Sequence, residues 1–423
     1  MSELEKLLEG VEVEWKSLDN VADYVRGLTY SKKNESSNDS GYKVIRANNI
    51  TLSNNTINFK DIKVVNFDTK VKDSQKLIKN DILISAASGS REHVGKVAFI
   101  FSDIDFYFGG FMGVVRANNK IESRFLFHIL TSRLFASYLD GVLNSSTINN
   151  LSSKVMNNFQ VPIPCPDNPE KSLKIQKEIV RILDSFTELT TELTTELTTE
   201  LTTRKKQYQY YRENLLTFDK NEVQHLPMGD ESVGKFIRGG GLQKKDFTDS
   251  GVGCIHYGQI YTHYGTYANK TKSFVSEEFA KKARIAKYGD LVIATTSEND
   301  EDLCKAVAWL GKEDIAVSSD ACFYRHNLNP KYVAYFFQTE QFHKQKRSFI
   351  TGAKVRRVNA SNLEKFKIPV PSLEEQERIV SILDKFDILT TSISEGLPKE
   401  IDLRKKQYEY YREKLLTFPK QVN

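Results

Sequence analysis

Between residues 172 and 218 apolar side chains recur every three or four positions, at Ile175, Ile179, Ile182, Phe186, Leu189, Leu193, Leu197 and Leu201. The spacing returns at Ile379, Ile382, Phe386, Leu389, Ile393, Leu397 and Ile401. Such spacing predicts one apolar stripe along each of two long helices. Pro164 and Pro371 stop either helix from extending further back. A continuous helix over 172–218 would be about 70 Å long. Each stripe is exposed to water unless it meets the other, so the two helices are expected to pack, antiparallel, as a coiled coil. The expected helix positions are Ile179, Leu183, Phe186, Leu189, Leu193, Leu197, Leu201, Tyr208 and Tyr211 on the first. On the second they are Ile379, Leu383, Phe386, Leu389, Tyr408 and Tyr411.

The two stretches are copies. RKKQYQYYRENLLTF at 204–218 recurs as RKKQYEYYREKLLTF at 404–418, with 13 of 15 positions identical. IVRILDSFTELTT at 179–191 recurs as IVSILDKFDILTT at 379–391, at the same offset of 200. FQVPIP at 159–164 recurs as FKIPVP at 366–371. Three collinear matches define an internal repeat. Residues 187–202 are four copies of Thr-Glu-Leu-Thr. Threonine is a mediocre helix former, so a low-complexity linker is the competing reading there. The equivalent stretch 387–402 has ordinary composition with the same length and apolar positions, and that favours helix.

The intervening blocks resemble each other faintly but in order: VADYVRG at 21–27 and VGKFIRG at 233–239, then NDILISAASGS at 80–90 and GDLVIATTSEN at 289–299. GKVAFIF at 95–101 and KAVAWL at 305–310 follow, then helical segments at 125–139 and 333–346. The expected fold class is α+β: two mixed β-rich globules at 1–158 and 219–363, each followed by a helical spacer at 159–218 and 364–423, with an internal pseudo-twofold repeat.

Composition adds limits. With 39% hydrophobic and 27% charged residues the chain reads as globular. Its four cysteines form no CxxC pair, which disfavours a disulfide framework or zinc site and suits a reducing cytoplasm. The start, MSELEKLLEGVEVEW, lacks the apolar run of a signal peptide, and no 18-residue apolar run is present. The net charge is +5, and the excess lies in the two globule blocks, a weak pointer to an anionic partner.

GDESVGKF at 229–236 approaches a phosphate-binding loop, but Phe236 stands where a magnesium-ligating hydroxyl belongs. His256 and His263 have no carboxylate or cysteine at ligand spacing, so no metal site is expected. No amino-methyltransferase, helicase or nuclease motif is evident, so no catalytic residue is assigned. DNA contact is the positive expectation. Lys344, Lys346, Arg347, Lys354, Arg356 and Arg357 form a basic run without an acidic residue between 341 and 363. Such a run suits phosphates, and arginine also reads guanine edges. The candidate DNA-binding residues of the first globule are Lys32, Lys33, Arg46, Asn48, Asn49, Ser88, Ser90, Arg91, His93, Asn144, Ser145, Ser146 and Thr147. Those of the second are Lys244, Lys245, His256, Tyr257, Gln259, Tyr261, Thr296, Lys354, Arg356 and Arg357. Loop structure accounts for many of them as well as base contact does.

Two variable globules, each followed by a near-identical helix behind a proline pair, resemble the specificity subunit of Type I restriction–modification enzymes. The TELT repeat followed by RKKQYQYYRENLLTF is similar to the type IC group. The resemblance implies two target-recognition domains reading a bipartite double-stranded site, with two methyltransferase subunits docked on the helices and restriction subunits beyond them. S-adenosylmethionine, ATP and magnesium would then belong to the partners, leaving this cytoplasmic chain non-catalytic and without a cofactor of its own. A stand-alone DNA-binding regulator would need a helix-turn-helix or its own dimer surface. A coiled-coil adaptor would leave the globules and their basic loops without a purpose.

Overall fold

The computed structural model describes residues 10–51, 54–88, 91–143, 150–392 and 394–418, without the side chain of Glu92. The chain divides into two compact units. One comprises Met1–Thr194 together with Leu403–Asn423, the other Thr195–Asp402.

In the first unit a four-stranded antiparallel sheet runs Ala22–Arg26, Met112–Ala117, Ile82–Ser85, Val97–Phe99. A smaller sheet places Tyr42–Ile45 between antiparallel Lys63–Val65 and parallel Tyr107–Phe108. The second unit repeats both. Gly234–Arg238, Ala321–His326, Leu291–Ala294 and Ala306–Trp309 take the same order, extended by Tyr267–Ala268. Ser273–Val275, Val252–Ile255 and Ile315–Val317 repeat the smaller sheet, extended by Ile285–Ala286. The runs ILIS and LVIA supply the central strands in each case, buried on both faces and apolar except at Ser85, as a covered strand requires. Gly41 and Gly251 open equivalent strands at φ +149° and +129°, where a Cβ would strike the carbonyl oxygen of Val65 or Val275. Only glycine fits there.

Pro162, Pro164 and Pro369 lie on short strands, and Pro371 follows the second. Gln160–Pro164 pairs antiparallel with Val13–Ser17, and Lys367–Pro369 pairs with His225–Pro227. In two-stranded ribbons the missing proline N–H faces outward at little cost.

The TELT segment is helical, inside one helix over Pro169–Leu215. Threonine hydroxyls there donate to carbonyls four residues back, Thr191 to Thr187, Thr199 to Thr195 and Thr203 to Thr199, which satisfies them without breaking the helix. The seam departs from the expected stripe from Phe186 onward, where Phe186 itself is 37% exposed. Ile179 and Leu183 are fully buried, but Leu189 is 60% exposed, and Leu193, Leu197 and Leu201 are half-buried. A strict four-residue period advances about 40° per repeat around a 3.6-residue helix, so a leucine every four residues cannot stay on one face.

The second copy is not one helix, contrary to expectation. It is Leu373–Thr391 and then Leu397–Leu415. Pro398 has no N–H to donate and would clash with the carbonyl four residues back, and Gly396 adds a flexible residue at the break. Ile393 lies outside the described residues.

Antiparallel pairing recurs in each unit at positions related by 200 residues. Phe186 stacks on Tyr411 with centroids 5.8 Å apart, and Phe386 stacks on Tyr211 at 5.3 Å. The Tyr408 hydroxyl meets the Thr187 hydroxyl at 2.9 Å, and that of Tyr208 donates to Asp387 at 3.4 Å. Each globule is held to its helices by the same three anchors. The buried amides of Gln176 and Gln376 accept from the backbone N–H of Glu122 (2.8 Å) and Asn329 (2.7 Å). Asp184 takes Arg124 at 3.0 Å and His128 at 2.8 Å, and Asp384 takes Lys331 at 2.7 Å and Tyr335 at 2.6 Å. Glu413 caps helix Arg133–Leu143 at 3.0 Å, and Glu213 caps helix Glu340–Arg347 at 3.0 Å. A carboxylate at a helix N-terminus satisfies a free N–H and complements the dipole. The tail of each helical copy therefore holds the globule of the other copy.

Candidate nucleic-acid interface

Each globule builds a tight turn where its small sheet passes into its large one. In the first, Met112 N–H donates to Gly109 O at 2.8 Å, and in the second, Ala321 N–H donates to Ser318 O at 3.1 Å. Matching arginines brace the next carbonyl, Arg26 on Gly110 at 3.0 Å and Arg238 on Ser319 at 3.4 Å. The carbonyl of the tip residue accepts from the loop after the central strand. Phe111 O takes Ala86 and Ala87 N–H at 2.8 and 3.1 Å, and Asp320 O takes Thr295 N–H at 3.0 Å. On its other side the turn bonds the end of the small sheet, Gly109 N–H to Ile45 O at 3.0 Å and Ser318 N–H to Ile255 O at 3.2 Å.

Those last bonds seat the tip beside a capped turn that carries several candidates. Asn49 is fully buried: its amide oxygen accepts from Arg46 N–H at 2.9 Å, and its nitrogen donates to Asn58 O and Lys60 O. Gln259 does the same work, accepting from His256 N–H at 3.0 Å and donating to Ser273 at 2.7 Å. Both amides are spent on the fold, which leaves Asn49 nothing to offer a base. Asn48 is exposed and shares Asp61 with Arg46, at 3.1 and 2.8 Å. His256 is half-buried, and burial, reinforced by Lys244, lowers its pKa against the pull of Asp320, so it is neutral at pH 7. Tyr257 is half-buried next to it.

On the other flank of the tip, Ala87 bridges to Asn150, which Arg26 holds at 3.2 Å. Ser88 is half-buried, His93 is exposed, and Arg91 pairs with Asp140 at 2.6 Å. Ser90, Asn144, Ser145, Ser146 and Thr147 lie outside the described residues. In the second globule Thr296–Ser297 pairs with Arg356–Arg357. Thr296 is buried and its carbonyl takes the Tyr261 hydroxyl at 2.6 Å, so both are structural. Arg356 is tied to Asp300 at 3.0 Å and to Gly352 O, whereas Lys354 and Arg357 are exposed. Lys32, Lys33, Lys244 and Lys245 are exposed on equivalent one-turn helices closed by Asn34 and Asp246.

The basic run 341–363 is thus not one surface. Lys346 is 1% exposed, and its ammonium donates to the carbonyls of Asp300, Glu301 and Leu303, a fixed structural cation. Arg347 pairs with Glu340 at 2.9 Å. Sequence reasoning also missed the bracing arginines and the tip residues. The arginines ended aligned motifs, VADYVRG and VGKFIRG, but the tips carried no sequence signal. What each face offers is exposed cations around hydrogen-bonding side chains, suited to phosphates and base edges. No helix of the described residues is long and apolar enough to cross a membrane.

Comparison with known proteins agrees. The family model "Type I restriction modification DNA specificity domain" matches twice, over residues 10–203 and 231–403. The chain is 34% identical over 428 residues to the Type I restriction enzyme EcoR124I/EcoR124II specificity subunit of Escherichia coli, covering 99% of this chain and 98% of that one. It is also 34% identical to a putative type I specificity subunit of Haemophilus influenzae, covering 98% of each. Two solved structures share the fold at low identity. One, from a study of assembly and conformational transition of the type I R-M system, matches with TM-score 0.69 at 15% identity, covering 96% of this chain and 97% of that one. The HsdS subunit from Thermoanaerobacter tengcongensis matches with TM-score 0.54 at 16% identity, covering 96% and 95%. With the family domain matched in both halves and a full-length relative at this identity, the chain belongs to the DNA specificity subunits of Type I restriction–modification systems.

Proposed function

We propose that this chain supplies sequence specificity to a methyltransferase complex, reading a bipartite double-stranded DNA site with one half per globule and performing no chemistry itself. The observation that carries the reading is the repeated tip scaffold: one main-chain frame in both globules, presenting different side chains amid exposed cations. A shared frame with exchanged side chains is what two readers of different sequences need. Methyltransferase subunits would dock on the helices, where the mirrored rings Tyr210 and Tyr410 are 63% and 64% exposed. S-adenosylmethionine would be bound by those subunits, ATP and magnesium by restriction subunits, all in the cytoplasm.

The test is co-expression with the methyltransferase subunits of its host, followed by mapping of N6-methyladenine across the genome. The expected result is a single bipartite motif that requires this chain. Methylation at the same motif without it, or methyl transfer by this chain alone, would overturn the reading.

A further inference from the structure

Phe111 presents 74% of its surface to solvent, although the backbone on either side of it is pinned. The Arg26 guanidinium holds the carbonyl before it, and two N–H groups hold its own. A large ring fixed on a rigid turn loses little freedom on meeting a partner. None of those bonds uses its side chain. In the second globule the same frame carries Asp320, whose carboxylate accepts no hydrogen bond from the described residues although Lys244 and His256 lie on that face. A carboxylate there repels phosphate, so its use is at a base edge.

We infer that the turn tip is a base-reading position in both globules, with Phe111 packing against the 5-methyl group of a thymine and Asp320 accepting from the exocyclic amine of a cytosine. These are the base-edge groups in the major groove that an apolar ring and a carboxylate each recognise. The frame seats each tip between the capped turn of Arg46 or His256 and the loop of Ser88 or Thr296, so it sits amid the other candidates. The inference rests on the function proposed above and adds the two residues and the base each selects.

The experiment uses the full chain assembled with its methyltransferase subunits, and duplexes carrying the motif mapped for the wild-type complex. Each thymine of the motif is replaced in turn by deoxyuridine, which removes only the methyl group. One replacement, in one half-site, should weaken binding about tenfold. Phe111→Ala should bind that duplex and the all-thymine duplex equally, and should respond to every other replacement as wild type does. Asp320→Ala should relax a required cytosine in the other half-site alone, by about the same factor. Phe111 is exposed, and the half-buried Asp320 carboxylate accepts no hydrogen bond from the described residues, so circular dichroism and complex assembly should be unchanged. The Phe111 assignment is overturned if every deoxyuridine duplex binds wild type normally, or if the half-site altered in Phe111→Ala contains no thymine. The Asp320 assignment is overturned if Asp320→Ala leaves every cytosine preference intact. Either failure with a bipartite motif still present sinks only this inference. The absence of any motif sinks the proposed function instead.

Discussion

Replacing Asp384 by alanine tests how the second globule is fastened to its helices. The carboxylate takes the Tyr335 hydroxyl at 2.6 Å and the Lys331 ammonium at 2.7 Å. Tyr335 is fully buried, and loss of its acceptor strands a hydroxyl away from water. That costs about 1–3 kcal/mol. The ion pair is part-exposed, at 19% and 23%, so its own share is about 1 kcal/mol or less. Lys331 keeps partial compensation from the Tyr267 ring at 3.8 Å. The expected loss is about 1–4 kcal/mol, a drop in melting temperature of roughly 2–16 °C for a unit of this size. Asp384→Asn keeps an acceptor for Tyr335 and should cost about 1 kcal/mol. Chemical denaturation of single and double variants gives the decisive number. Because Tyr335→Phe removes the stranded hydroxyl, the double variant with Asp384→Ala should fall short of additivity by about 1 kcal/mol or more. Full additivity, or a loss below about 0.5 kcal/mol for Asp384→Ala, would refute the anchoring argument.

Other outcomes follow from the same contacts. Asp184→Ala should weaken the first unit comparably, since it releases Arg124 and the buried His128 together; the melting profile of that unit reads it. Burial depresses the native pKa of His128 and takes that of His326 to about 4. The unfolded chain then binds more protons as pH falls below about 6.5, so stability should decline from pH 7 toward pH 4, and His326→Asn should flatten the slope in denaturation midpoints. Arg357→Ala should reduce the salt dependence of DNA binding by about one phosphate contact, and the ion-paired Arg356→Ala by less, as titrations at several salt concentrations would show. Deleting one Thr-Glu-Leu-Thr unit turns the helix by about 40° and should shorten the unspecified gap by about one base pair, with both half-sites unchanged in methylation maps.

The helices were legible because their signal is local: a stripe at Ile179 and Leu183, repeated at Ile379 and Leu383, lands buried in both copies. The break at Gly396 was missed, because register with the first copy masked what Pro398 does to a helix. At the candidate interface, residue type pointed to lysines that the fold leaves exposed, and also to Asn49 and Thr296, which it buries. An amide that reads a base and one that caps a turn look identical until the backbone partners are known. Phe111 was illegible for the opposite reason. A phenylalanine in a strand-rich segment reads as core, and only the turn geometry turns it outward.

Because Glu413 and its neighbours complete the first globule, that unit is built from the two ends of the chain. Its core includes Leu415, Leu416 and Phe418, and Arg133 meets Glu413 across 280 residues of sequence. The unit from Thr195 to Asp402 has no such dependence. Vectorial synthesis normally finishes the N-terminal domain first. Here the order inverts: the second globule can close while the first still waits, with Ile179, Leu183 and Phe125 uncovered, for residues made after the second is complete. A ribosome that stops just beyond residue 402 therefore leaves one finished reader and one sticky, unfinished one. Truncation after residue 402 should send the N-terminal globule, not the second one, to proteolysis.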